Sequence, residues 1–164
     1  LYCSGAYRAC FFRHGTVHAA LVSCVLGGIY IHIPFCRTHC TYCGFYSELL
    51  RSSQGSESFV SALCSEIAGA SPTVLQDATG EAEMTLYFGG GTPSLLSLEQ
   101  LSRIVEAIGI QDFSEFTVEV NPDDVVKNGP EYARDLKNLG VSRVSMGVQS
   151  FDDAVLKRMG RRRF

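Results

Sequence analysis

The apolar residues of this chain follow two alternating periods from residue 27 onward. Short runs rich in β-branched and aromatic residues are each followed by a stretch in which apolar residues recur every three or four positions. The first pattern is typical of a buried strand and the second of an amphipathic helix. Together they predict strands at 27–33, 84–88, 115–121 and 142–150, and helices at 56–69, 97–110, 129–140 and from 152 onward.

Local signals support several of these helix boundaries. Ser97 and Gln100 form a capping-box pattern at the start of the second helix. Pro130 suits the first turn of the third helix, and Gly140 suits its end. Four β-α units in succession predict an α/β fold with parallel strands.

Residues with unusual chemistry follow each of the four strands. A cysteine-rich loop follows the first strand, GGGTP the second, residues 119–121 the third and Gln149 the fourth. The carboxyl ends of parallel strands meet at one edge of a sheet, and α/β proteins bind ligands at that edge. The sequence therefore predicts a functional site there.

Composition narrows the class of protein. At 164 residues, 46% of them apolar, the chain is expected to form one domain around one core. The net charge of −3 shows no basic face for nucleic acid, and no stretch reaches the roughly 18–20 apolar residues of a membrane span. Seven cysteines are an odd number, which argues against a fully paired disulfide framework and favours reduced thiols in the cytoplasm.

Residues 1–27 differ from the rest of the chain. They begin without Met, contain Cys3, Cys10 and Cys24, and include an apolar run that loosely imitates a signal or transit peptide. An untidy translated upstream segment is the favoured interpretation, because no convincing cleavage site precedes the first strand. Residues 1–27 are expected to form a poorly defined extension outside the predicted fold.

Cys36, Cys40 and Cys43 have the spacing C-x3-C-x2-C. Three thiolates can hold three irons of a 4Fe–4S cluster and leave the fourth iron open to a ligand. The alternative is zinc, with His32 or His39 as the fourth ligand. Zinc sites usually pair cysteines as C-x2-C or C-x4-C and add a second pair, which this sequence lacks, so the spacing favours the cluster.

GGGTP matches neither a Rossmann fingerprint, since Ser94 replaces the last glycine, nor a P-loop, since no lysine follows. The glycines indicate either a tight turn or backbone exposed to a polar ligand, and the nearby cysteine loop favours the ligand. Glu119, Gln149 and Arg161 add an acid, an amide and a cation to the same edge. Such a set suits a zwitterionic ligand with an amine, a carboxylate and ribose hydroxyls.

Four ordered motifs carry a family resemblance over residues 28–161. They are YIHIPFC with its cysteine loop, YFGGGTPS, TVEVNPDD and RVSMGVQSFDDAVLKRMGR. The chain resembles the radical S-adenosylmethionine (radical SAM) superfamily and, within it, the oxygen-independent coproporphyrinogen III oxidase family. The resemblance implies a partial TIM-like (β/α) barrel, with residues 28–164 forming the N-terminal part of the core domain. Four β-α units cannot close a barrel, so the chain is expected to be a fragment.

The resemblance also implies two cofactors and an electron donor. Cys36, Cys40 and Cys43 fall on the positions that hold a 4Fe–4S cluster, and S-adenosylmethionine would bind its fourth iron. The aromatic position near the adenine corresponds to Tyr42. The other positions that contact S-adenosylmethionine correspond to Tyr30, Gly90, Gly91, Thr92, Glu119, Gln149 and Arg161.

Phe45 separates two branches of this family. The dehydrogenase branch, which converts coproporphyrinogen III to protoporphyrinogen IX, typically carries a cysteine at that position, whereas the heme chaperone branch does not. The resemblance therefore implies a heme chaperone that passes heme to a target protein, with the dehydrogenase as the alternative. Its heme site is expected in a C-terminal region that this chain does not contain.

Overall fold

The computed structural model describes residues 22–25, 28–69, 84–110 and 112–161. Most of the predicted N-terminal extension, with Cys3 and Cys10, lies outside the described residues, as do residues 70–83. The strands, in chain order, are β1 (Val22–Val25), β2 (Gly28–Ile33), β3 (Phe35–Cys36), β4 (Glu48–Leu49), β5 (Thr85–Gly90), β6 (Glu115–Val120) and β7 (Arg143–Met146). The helices are α1 (Ser53–Gly69), α2 (Leu98–Ile108), α3 (Pro122–Asn138) and α4 (Asp153–Arg158), with a 3-10 turn at Pro93–Leu95.

The main sheet has the strand order β1-β2-β5-β6-β7. Strands β2, β5, β6 and β7 are parallel to one another, which confirms the predicted α/β fold of four β-α units. β1 pairs antiparallel to β2 at the edge of the sheet. This strand lies in the segment that the sequence-based prediction set aside, so the sheet has one strand more than predicted.

α3 begins earlier than the predicted start at residue 129. Asn121 caps it by accepting a hydrogen bond from the backbone N–H of Asp123 at 3.1 Å, and Pro122 occupies the first turn. Gly129, with φ of 71°, interrupts the helix, and Pro130 starts its second half. The prediction recognised only this second half, because the first turns are polar and carry little helical periodicity.

One face of the sheet forms the core with helices α1 and α2. Alternate residues of the strands point to this face, as the pleat requires. The buried strand residues are Ile29, Ile31, Ile33, Leu86, Phe88, Phe116, Val118 and Val120, and the buried helix residues include Phe59, Val60, Leu63, Leu101 and Ile104. The other face carries polar and aromatic side chains near the carboxyl ends, including Tyr30, His32, Tyr87 and Glu119.

None of the helices in the described parts of the chain is long and apolar enough to cross a membrane.

Candidate functional site

A cleft of about 350 Å³ opens at the carboxyl ends of the parallel strands. Its walls come from the loops after β2, β5, β6 and β7, so the edge predicted from the sequence is where the cleft lies. The predicted site residues that line it are Cys36, Cys40, Tyr42, Cys43, Gly90, Gly91, Thr92, Glu119, Gln149 and Arg161. Tyr30 is not among the lining residues.

The cysteine loop is anchored at both ends. Strand β3 pairs with β4, and the carbonyl of Cys36 accepts a hydrogen bond from the N–H of Leu50 at 3.0 Å. At the far side, the N–H of Thr41 donates to the carbonyl of Met159, beyond the end of α4, at 3.2 Å. Within the loop, the N–H of Cys43 donates to the carbonyl of Cys40 at 3.2 Å. Cys36, Cys40 and Cys43 are free thiols that face one cleft.

The donor set of this loop fits an iron–sulfur cluster better than a zinc ion. Each cysteine of a cubane cluster binds a different iron, so the sulfurs need not converge on one point. Within the described residues, no three Cys, His, Asp or Glu side chains are arranged to hold a single metal ion. His32 is bonded at both ring nitrogens within the protein, and His39 Nδ1 lies 3.4 Å from Ser47 Oγ. His32 is therefore committed to partners within the protein, and of the two histidines His39 remains as the candidate fourth ligand for zinc.

Each of the last two glycines of GGGTP makes room for a group of the protein. A Cβ at Gly90 would lie 2.6 Å from the His32 ring, and the φ of Gly90 is +110°. A Cβ at Gly91 would lie 2.5 Å from the carbonyl oxygen of Phe35. Both backbone N–H groups are also used, by Glu119 Oε2 at 3.2 Å and by the carbonyl of Ile33 at 2.8 Å. Close packing and turn geometry are therefore sufficient reasons for glycine at both positions, whether or not a ligand binds there.

Glu119 is held in place at the floor of the cleft. Its Oε1 accepts a hydrogen bond from the Tyr87 hydroxyl at 2.7 Å, and its Oε2 accepts from the N–H of Gly90. Tyr30 stacks on Tyr87 with ring centroids 5.9 Å apart. Burial, followed by the charge of Glu119, raises the pKa of Tyr30 to about 12, so this hydroxyl stays protonated.

His32 links this group to the cysteine loop. Its Nε2 lies 3.0 Å from the carbonyl of Tyr46, which can only accept, so Nε2 carries the proton. Nδ1 then accepts from the Tyr30 hydroxyl at 3.1 Å. Tyr30 therefore supports Glu119 and His32 from behind the cleft.

Gln149 and Arg161 approach each other beside Gly147. Gln149 has a φ of 66°, which is uncommon for a residue with a side chain and typical of functional sites. Arg161 donates a hydrogen bond to the carbonyl of Gly147. A Cβ at Gly147 would lie 3.1 Å from Gln149 Nε2, so the glycine permits this arrangement. Partial burial raises the pKa of Tyr42 in the cysteine loop, and the nearby Arg161 opposes that rise.

Three residues of the site were not predicted from the sequence. Arg37 donates to the buried carboxylate of Asp124, and the Ser94 hydroxyl donates to the same carboxylate at 2.7 Å. Arg37 also lines the cleft. In the sequence, Asp124 is recognisable only as an acidic residue in the first turn of a helix that begins with Asn-Pro, which is an ordinary position for an acid. Its role becomes evident only from its burial.

The chain belongs to the radical SAM superfamily, whose family model matches residues 30–164. It is similar to the heme chaperone HemW of Bacillus subtilis, with 41% identity over 138 residues, covering 80% of this chain and 34% of that protein. It is also similar to the anaerobilin synthase of Escherichia coli O157:H7, with 38% identity over 138 residues, covering 81% of this chain and 29% of that protein.

Among solved structures, the chain is similar to coproporphyrinogen III oxidase (HemN) from Escherichia coli, described as a radical SAM enzyme. The TM-score is 0.68 at 29% identity, covering 82% of this chain and 30% of that chain. The family and the fold predicted from the motifs are thereby confirmed. The chain spans about a third of the length of the curated relatives it matches. Membership of this superfamily implies a 4Fe–4S cluster and S-adenosylmethionine as cofactors.

Proposed function

We propose that this chain forms the cofactor-binding part of a HemW-like heme chaperone. The observation that carries the proposal is that three free thiols, a fixed carboxylate and an arginine face one cleft at the carboxyl edge of the sheet. Similarity of about 40% to proteins named heme chaperone HemW supports the particular branch. We place the protein in the cytoplasm, with heme, a heme-accepting protein and an electron donor as its partners.

The residues of the cleft would divide the binding of the two cofactors. Cys36, Cys40 and Cys43 would hold three irons as thiolates. Glu119, already fixed by Tyr87, offers a negative acceptor for an ammonium group, and Arg161 offers a cation for a carboxylate. When bound, the cluster and S-adenosylmethionine supply one-electron chemistry, while the protein supplies orientation and exclusion of water.

Similarity to oxygen-independent coproporphyrinogen III oxidases supports a second candidate function, that of a dehydrogenase. One such relative, from Synechocystis, is 32% identical over 137 residues. Phe45 favours the chaperone, because the dehydrogenase branch is expected to carry a cysteine there. Phe45 is 71% exposed and lines the cleft, so it lies where a ligand would meet it.

Anaerobic reconstitution of the full-length gene product tests cluster binding. We expect uptake of about four irons per chain and a sulfur-to-iron absorption band. Both should be lost when Cys36, Cys40 and Cys43 are changed to Ala together. Cys64→Ala is the matched control, because Cys64 lies on α1 and its sulfur donates to the carbonyl of Arg103, away from the cleft. Stoichiometric zinc without iron uptake would contradict the proposal.

A second assay on the same protein separates the two branches. The reconstituted protein should bind heme and should not convert coproporphyrinogen III to protoporphyrinogen IX when reduced in the presence of S-adenosylmethionine. Turnover to protoporphyrinogen would replace the chaperone by the dehydrogenase and leave the cofactor site unchanged.

A further inference from the structure

Asp124 is a buried carboxylate that connects three loops of the cleft. It lies in the first turn of α3 and is 1% exposed. One oxygen accepts a hydrogen bond from Arg37 of the cysteine loop, and the other accepts from the Ser94 hydroxyl at 2.7 Å. Ser94 in turn accepts from the backbone N–H of Asn121 at 3.0 Å. The loops after β2, β5 and β6 therefore share one hydrogen-bonded carboxylate.

A buried carboxylate of this kind is better suited to fixing the relative positions of the three loops than to raising the free energy of unfolding. Removing a carboxylate from water is costly, and its partners offset that cost without a large surplus. Loss of one partner would leave the other charge uncompensated. The contacts thus favour one spacing between the cysteine loop and the turn that contains the glycines.

Arg37 places a positive charge beside the cysteines. It directly follows Cys36, both residues line the cleft, and 41% of the Arg37 side chain is exposed. Asp124 partly neutralises that charge through the ion pair. The net charge next to the thiols therefore depends on both members of the pair.

We propose that Asp124 is a positioning residue for the cofactor site. It holds Arg37 and the Ser94 turn in register, and it sets the charge next to the cluster. This inference rests on the proposed function, because it concerns a cluster bound by Cys36 and its two partners.

The charge argument gives the two members of the pair opposite effects on the midpoint potential of the cluster. Reduction adds an electron, so nearby positive charge stabilises the reduced form and nearby negative charge opposes it. Asp124→Asn should therefore raise the midpoint potential, and Arg37→Gln should lower it. The double variant should return toward the parental value. A general loss of packing would not produce opposite signs.

The experiment uses the full-length gene product, reconstituted anaerobically with iron and sulfide. Iron content, the midpoint potential without S-adenosylmethionine and the Kd for S-adenosylmethionine are measured in each variant. We expect near-parental iron content and a Kd raised about tenfold in Asp124→Asn, because the cysteine loop and the Ser94 turn lose the carboxylate that joins them. Glu131→Gln is the control: this exposed carboxylate on the same helix pairs with Arg134, and all three values should match the parent.

Potentials that shift in the same direction in Asp124→Asn and Arg37→Gln would overturn the inference, as would parental values in both. If Asp124→Asn does not fold, Arg37→Gln and Ser94→Ala decide. Ser94→Ala removes the hydrogen bond from the Ser94 turn to Asp124 but keeps the ion pair between Arg37 and Asp124. It should therefore raise the Kd for S-adenosylmethionine and leave the midpoint potential of the cluster unchanged. If both variants keep the parental Kd and midpoint potential, the role of Asp124 is overturned and the proposed function stands. If the parent protein itself takes up no iron, the proposed function is overturned as well.

Discussion

The hydroxyl of Thr92 donates to Sγ of Cys36 across 3.7 Å. Hydrogen bonds to the sulfur ligands of a cluster favour its reduced form, because they stabilise the added negative charge. Thr92→Val should therefore lower the midpoint potential of the reconstituted cluster, measured by redox titration without S-adenosylmethionine. Thr92→Ser keeps the hydroxyl and should stay close to the parent.

The same pair of variants tests the role that the family resemblance implies for Thr92. If this hydroxyl bound S-adenosylmethionine and left the sulfur alone, Thr92→Val would weaken binding of that cofactor and leave the potential unchanged. That result would contradict the hydrogen bond to Cys36 as a determinant of the potential.

At the level of single residues, the sequence predicted the parts of the site that carry their own chemistry. The thiols of Cys36, Cys40 and Cys43 are recognisable because closely spaced cysteines in a reduced protein are typical of metal and cluster sites. Asp124 was not recognisable, because its importance comes from burial and from Arg37, which lies 87 residues away in the chain. Such contacts depend on the order of the strands in the sheet, which periodicity does not specify.

At the level of elements, the turn after β5 and the strand β3 are packed too closely for a side chain at Gly91. A Cβ there would lie 2.5 Å from the carbonyl oxygen of Phe35, which directly precedes Cys36. Gly91→Ala should therefore displace the cysteine loop and reduce iron uptake together with binding of S-adenosylmethionine. Iron content after reconstitution and the Kd for the cofactor are the measurements.

Gly55→Ala is the matched control for this substitution. Gly55 lies in α1, and its Cβ would make only an ordinary contact with Ser52 Oγ at 3.8 Å. A Gly91→Ala protein that keeps full iron content but loses the cofactor would show that the glycine serves the ligand directly.

The spacing of apolar residues predicted the helices and strands that pack on the core. It did not predict elements whose apolar spacing is not set by packing on the core. The apolar stripe of α2 and its Ser97–Gln100 capping box were found, and both hydrogen bonds of that box form, at 3.1 and 3.0 Å. The first half of α3 was missed, because Asn121 and Pro122 fix its start locally, while Val125 and Val126 are adjacent and not three or four positions apart. Strand β1 was missed because its segment resembles no ordered domain by composition.

For the molecule as a whole, Tyr132 links stability to alkaline pH. Its side chain is 5% exposed, and its hydroxyl has no hydrogen-bond partner among the described residues. Burial, followed by the charge of Asp124, raises the pKa of Tyr132 from 10.0 to about 12. Because the folded pKa exceeds the unfolded value, the folded state favours the neutral phenol, and that advantage is complete below about pH 10. It is lost as the pH rises toward 12.

Urea unfolding of the parent should accordingly show a free energy of unfolding that falls between about pH 9.5 and 12. The share that is due to Tyr132 is on the order of 2 kcal/mol. Tyr132→Phe should show a smaller fall and, at pH 7, a free energy of unfolding equal to the parent or up to about 1 kcal/mol higher.

Tyr30→Phe is the comparison, because it removes a hydroxyl that is bonded to His32, and it should lower the free energy of unfolding at pH 7 by about 1 kcal/mol. Destabilisation of Tyr132→Phe by several kcal/mol at pH 7 would mean that the hydroxyl has a partner after all.

The contact between the end of α4 and the cysteine loop has a consequence for biosynthesis. The hydroxyl of Thr41 and the carbonyl of Arg158 are 117 positions apart in the chain. A ribosome needs roughly ten seconds to add that many residues. During that interval the cysteine loop lacks its second anchor, because the residues that supply it have not been synthesised. Iron delivery is therefore expected to follow completion of α4. Before that point, a thiol-protecting chaperone or a low-oxygen environment would protect the three cysteines from oxidation.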